Sequence, residues 1–212
     1  MTDQLSLYNR ALLHLGERSL TALTDNNEAR RSLDQAWDSG IIRTEWLRCG
    51  LWNFATRTTE RNYESALTPD FGYQYTYTKP SDWVKTAGVW SDEYQRVPLT
   101  EYRDEGGYWF SNIQVIYVSY VSNDASYGLD YSLWPENYAR FCEYDLAMKI
   151  ARRVTGADID TLQAMERKRS DLLATARNTD AMDEPAKFPP QGSWVSSRTS
   201  RVNARNYTRG SW

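Results

Sequence analysis

The hydrophobic period changes twice along this chain, and few folds accommodate that. Residues 3–50 and 136–178 repeat their apolar positions at threes and fours. Residues 51–121 repeat them at twos. A period near 3.6 marks helices with one buried stripe, and a period of two marks strands with one buried face. The stripes at the two ends each need a partner and can supply it to each other. The expected fold is therefore α+β and mainly helical. It is a four-helix bundle built from residues 1–50 and 134–180, with a small antiparallel β domain inserted at 51–133. An extended arm over 181–212 follows, because the apolar period is lost after Asn178.

In the first helix Leu5, Tyr8, Leu12 and Leu15 share a face, and Gly16 stops it. Asp25 and Glu28 have capping-box spacing before a second helix. Ala29, Leu33, Trp37, Gly40, Ile41, Thr44 and Leu47 carry that helix to Gly50. This predicts one helix of roughly 22 residues and about 33 Å, in which Gly40 permits a bend or a close crossing. LWNFATRTT then reads as a strand, with Trp52 and Phe54 placed where helix gives way to strand. These two rings could be core, ligand pocket or subunit surface. Core at the joint between bundle and insertion is the expectation, since aromatics bury large areas.

Tyr73, Tyr75 and Tyr77 alternate with Gln74, Thr76 and Thr78 and share one strand face. That face either packs on the bundle or stacks sugars or bases. Residues 83–90 suit a helix or a strand equally, and Glu93–Val97 suit a short strand. A hairpin is expected around Asp104, Glu105, Gly106 and Gly107, and a strong strand over Ile113–Val121. Pro135 opens a helix whose stripe is Ala139, Cys142, Leu146, Ala147, Ile150 and Val154. Asp158 caps the last helix, which presents Leu162, Met165, Leu172, Leu173 and Ala176 on one face.

Chemistry is sparse. His14 is the single histidine, and the cysteines Cys49 and Cys142 are far apart, so no zinc spacing exists and a histidine base beside a nucleophile is not expected. The cysteines read as two small buried hydrophobes rather than a disulfide. No stretch matches a phosphate loop or dinucleotide fingerprint. The acidic pairs Asp104/Glu105, Asp158/Asp160 and Glu143/Asp145 are explained by caps and solvated faces. No enzyme, cofactor or metal is expected. Without a long apolar run or a leader, the chain is expected to be soluble and made in the cytoplasm.

The net charge of −3 conceals a division. Residues 185–212 carry Lys187, Arg198, Arg201, Arg205 and Arg209 and no acid, whereas the rest has 20 basic against 28 acidic residues, a net −8. A basic arm on an acidic body predicts docking on something acidic, either nucleic acid or a neighbouring copy.

Six stretches, LYNRALLHLGE (7–17), EARRSLDQAWD (28–38), GLWNFATR (50–57), YTKPSDWVKT (77–86), DEGGYWFSN (104–112) and ARNTDAMDEP (176–185), together resemble the tail tubular protein A family, the head-to-tail adaptors of short-tailed bacteriophages. The resemblance runs from about residue 5 to about residue 195 and lies in the order and spacing of the stretches. It implies a structural virion protein assembled in the host cytoplasm. The partners would be neighbouring copies in a ring (a dodecamer in the best-known phages), the portal above and a tail nozzle below, with genomic DNA passing through the channel. The family frame is a helical bundle with a β insertion and an extended C-terminal arm. Residues 199–212 continue past the point where family members are expected to stop.

On that basis the arm is expected to meet a neighbour or the portal through Phe188 and Trp194 as anchors and Arg198, Arg201, Arg205 and Arg209 as charges. Pro189 and Pro190 would keep it extended. Asp104, Glu105, Gly106 and Gly107 would form an insertion tip facing the lumen or the nozzle. The competing expectation is a carbohydrate- or nucleic-acid-binding module built on the Tyr73/Tyr75/Tyr77 face.

Overall fold

The computed structural model describes residues 3–38, 40–70 and 72–183. Those residues form an α+β molecule with five α-helices and two three-stranded antiparallel sheets. The arm residues Phe188, Pro189, Pro190, Trp194, Arg198, Arg201, Arg205 and Arg209 lie outside the described residues.

Helix α1 (Gln4–His14) begins at Asp3, whose carboxylate accepts from the Ser6 amide while Ser6 Oγ accepts from the Asp3 amide. Leu7, Tyr8, Ala11 and Leu12 are buried. The expected long second helix is two helices, α2 (Glu28–Asp38) and α3 (Ile41–Arg48). Gly40 breaks it with φ of 67°, a left-handed conformation that side chains with a Cβ disfavour. The expected capping box is also displaced. Asn27 caps α2 by accepting from the Arg30 amide at 2.8 Å, while Asp25 is occupied by the Thr21 amide and hydroxyl. Helix α4 (Glu136–Val154) follows Pro135, which sits at the cap position rather than inside the first turn. Helix α5 (Ile159–Met182) is capped by Asp158, as its sequence predicts. Helices α1, α2 and α5 all pack on α4, whose predicted stripe is buried from Ala139 to Ile150.

Residues 53–55 are a 3-10 turn, so strand β1 begins at Thr56 and runs to Asn62. The alternation of Trp52 and Phe54 belongs to that turn and not to a strand. The remaining strands are β2 (Tyr75–Thr78), β3 (Trp83–Trp90), β4 (Tyr102–Glu105), β5 (Tyr108–Ser111) and β6 (Val115–Ser122). Residues 83–90 thus resolve to strand, and residues 93–97 form a turn instead of the expected strand. One sheet has the order β1-β6-β3 and the other β2-β5-β4. β6 is central, pairing Val118 with Thr59 on one side and Val89 on the other.

Two cores result. The larger gathers the helices and reaches Trp52, Ala55, Val84 and Val121 at the end of the first sheet. The smaller lies between the sheets and contains Tyr77, Val89, Trp109, Ile116 and Val118. Val121 and the pair Ile116/Val118 differ in parity on β6, so the pleat sends them to opposite faces. The first sheet therefore holds the helices at one end and the second sheet across its other face.

Candidate functional site

The joint at Trp52 is built from its neighbours' backbones. The Trp52 indole is 1% exposed and donates from Nε1 to the Trp46 carbonyl at 3.1 Å. It folds back over Gly50, two residues earlier, where a Cβ would come within 2.7 Å of the ring and push the indole aside. The Tyr138 ring meets it edge-on at 4.7 Å, and Phe54 lies 4.8 Å from Tyr138. From there the aromatics continue inward through Trp134, Trp46, Trp37 and Tyr8, with successive centroids 4.9, 6.2, 6.0 and 5.6 Å apart. Edge-to-face pairs of this kind add stability beyond the area they bury. The structure therefore places Trp52 and Phe54 in the core, Phe54 only partly buried.

The same joint grips the end of α5. The Asn53 amide donates to the Asp180 carboxylate at 3.1 Å, and the Asn53 side chain donates to the Asp180 carbonyl at 2.7 Å. Arg177 Nε donates to the Cys49 carbonyl at 2.7 Å, and Asn137 Nδ2 donates to Thr179 Oγ1 at 3.0 Å. The described chain ends three residues beyond Asp180. The end of α5 is thus held by the segment that opens the β region.

The expected insertion tip divides in two. Gly106 and Gly107 make the exposed turn of the β4–β5 hairpin. Asp104 stays partly exposed beside that turn, and its carboxylate is engaged by side chains of its own body. It accepts from Lys79 Nζ at 2.6 Å, Thr86 Oγ1 at 2.5 Å and Trp109 Nε1 at 3.2 Å. Lys79 is itself buried, with its ammonium 3.7 Å from the Trp83 ring centre and donating to the Gly106 carbonyl at 3.0 Å. Burial raises the Asp104 pKa, but Lys79, Thr86 and Trp109 outweigh it and hold the carboxyl below the ordinary aspartate value. Glu105 remains outward and pairs with Arg103 at 3.2 Å.

The tyrosine face is not a platform. Tyr77 is fully buried between the sheets and its hydroxyl donates to the Ile113 carbonyl. Tyr75 packs on Tyr63 at 4.7 Å, and Tyr73 precedes the strand. A stack of three accessible rings is therefore not formed.

The acidic pair Glu143/Asp145 is also committed. Asp145 is buried and accepts from Trp46 Nε1 at 2.7 Å and from Arg169. Glu143 is buried and accepts from Arg10 at 2.9 Å. Burial pushes its carboxyl up, and Arg10 offsets this only in part. His14 lies 4.0 Å from Glu143 and edge-on to Tyr144, and burial lowers its pKa. Cys142 is buried, Cys49 is half-buried, and both are free thiols. No group of three or more His, Cys, Asp or Glu among the described residues is placed to hold a metal ion. No helix among them is long and apolar enough to cross a membrane.

One surface was not singled out by sequence. Between α1, α4 and α5 lies an open groove of about 530 Å³, floored by Leu13, Tyr144 and Leu172 and edged by Arg10, Arg140 and Lys168. Leu13 lies outside the predicted stripe of α1, which was the available signal. No family model and no curated protein matches the chain.

Proposed function

We propose that this chain is a structural virion protein, the subunit of a head-to-tail adaptor ring that joins portal to tail nozzle and lines part of the DNA ejection channel. The observation that carries the reading is that the six stretches behind the family resemblance meet in pairs. LYNRALLHLGE touches EARRSLDQAWD through Tyr8, whose hydroxyl donates to Asp34 at 3.2 Å and whose ring meets Trp37. YTKPSDWVKT touches DEGGYWFSN through Lys79–Asp104 and Trp109–Thr86. GLWNFATR touches ARNTDAMDEP through Asn53 and Asp180. A resemblance carried by order and spacing has physical content when its parts are mutual contacts.

In this reading the helices are a four-helix bundle whose second member is α2 and α3 together, and the arm, expected from residue 181, begins after α5 ends at Met182. A ring subunit needs two different lateral faces, because head-to-tail contacts close only by rotation. The basic arm leaves its own body at the Asn53–Asp180 clamp and meets acidic surface on a neighbour or on the portal. The body, at net −8, lets DNA pass without tight phosphate binding. No catalytic step is involved.

The test is the mass of the purified chain alone and mixed with the portal protein of the same virion. A ring that forms with portal is the expected result, and a chain that stays apart from portal overturns the proposal. For the arm, deletion of residues 185–212 is expected to abolish adaptor–portal complexes in electron micrographs. Normal complexes from the shortened chain would remove the arm from the mechanism.

A further inference from the structure

We propose that the α1/α4/α5 groove receives the Ile159 end of α5 from a second copy of this chain. The inference rests on the ring reading and names the lateral contact. The groove has an apolar floor that includes Leu13, 72% exposed, and a mixed edge of Arg10, Arg140 and Lys168 with Glu136 and Glu143. Arg10 is committed to Glu143, and Arg140 to Glu136 at 3.2 Å. Lys168 has no ion-pair partner among the described residues.

The complementary feature stands at the start of α5. Ile159 is 71% exposed and is flanked by Asp158 and Asp160. Asp158 is occupied in capping, accepting from the Thr161 amide at 2.9 Å. Asp160 has no ion-pair partner among the described residues. An apolar knob beside a spare carboxylate matches an apolar floor beside a spare ammonium, in a body whose overall charge is negative.

Geometry makes the contact intermolecular. Ile159, Lys168 and Leu172 all lie on α5, and a continuous helix fixes Ile159 about 13 Å along its axis from Lys168. A subunit cannot bring its own knob into its own groove. The knob of one copy in the groove of the next is a heterologous contact, the kind that propagates and closes into a ring.

The experiment is a charge exchange measured on full-length chains assembling with portal. Lys168→Glu and Asp160→Lys are each expected to need about tenfold more protein for half-assembly, the scale of one interface charge pair. The double variant is expected to recover, because every reversed groove then meets a reversed knob. Unchanged melting of all three shows that folding is not the cause. Single variants that assemble like wild type, or a double variant that does not recover, overturn the contact. So does a Lys168→Glu chain that forms rings but loses portal, which assigns the groove to portal. Wild-type chains that form no ring with portal refute the ring reading itself, a distinct outcome from these.

Discussion

At Lys79 a charge has been taken out of water and compensated by side chains rather than by solvent. Its ammonium has one carboxylate, one carbonyl and one indole face, and its side chain is 4% exposed while that of Asp104 is 33% exposed. Removing Lys79 takes one charge-assisted hydrogen bond from a partly exposed Asp104, so Lys79→Ala should lower stability by about 1–2 kcal/mol in denaturant unfolding. The same pair predicts a pH dependence. Asp104 has a folded pKa below its unfolded value of 3.8, so its contribution is fully present above that value. It is lost as pH falls below 3.8 through the folded pKa, because there the unfolded chain binds the extra proton. Wild type should therefore lose stability more steeply than Lys79→Ala in that acidic range, and equal slopes would show that the pair does not hold the pKa down. Trp52 makes a different demand. Truncating a fully buried indole leaves a cavity, and Trp52→Ala should cost roughly 3–5 kcal/mol. A Trp52→Ala chain that melts like wild type yet fails to join a ring would return this residue to the subunit surface.

At the scale of elements, Gly40 separates what sequence shows from what it hides. The apolar pattern of residues 29–47 reads as one helix because both halves space their apolar positions at threes and fours, although α2 packs on α4 and α3 on β3 and β6. The break appears only as a change of phase. A continuous helix carries the stripe from Trp37 to Gly40, Ile41 and Thr44, whereas the buried residues are Ile42, Trp46 and Leu47, and Ile41 is 63% exposed. The two arrangements predict opposite signs for Gly40→Ala. In a continuous helix alanine gains about 1 kcal/mol over glycine. At φ of 67° it costs about 1–2 kcal/mol, although the added methyl meets nothing closer than Arg43 at 3.8 Å. Chemical denaturation should show a loss. The 3-10 turn at residues 53–55 escaped detection for a related reason. Trp52 at its cap and Phe54 at its centre both pack in the core, and two positions cannot distinguish a turn from a strand. Long stripes such as those of α4 and α5, and the run at Val115–Ser122, were legible because they repeat often enough to fix a period.

Across the whole molecule, the layout was legible and the surfaces were not. The helix–strand–helix order follows from period alone, and the joint at Trp52 follows from where the period changes. Asp104 could not be placed from sequence, because its partner Lys79 is 25 residues away and meets it only through the pairing of β2, β5 and β4. The groove was hidden because Leu13, Arg140 and Lys168 come from three helices. The clamp between Asn53 and Asp180 spans 127 residues and belongs to the same class. It ties the start of the β region to the end of α5. Asp180→Ala removes the carboxylate that accepts the Asn53 amide but leaves the aromatic core intact. The expected cost is about 1 kcal/mol, one hydrogen-bond network at a partly exposed site. Hydrogen exchange should rise at residues 176–183 and stay unchanged in α4, where the core holds the helix. If the arm is aimed by this clamp, the same variant should bind portal more weakly than its small loss of stability accounts for. Faster exchange at the end of α5 with full portal binding would mean that the arm finds its partner without being aimed.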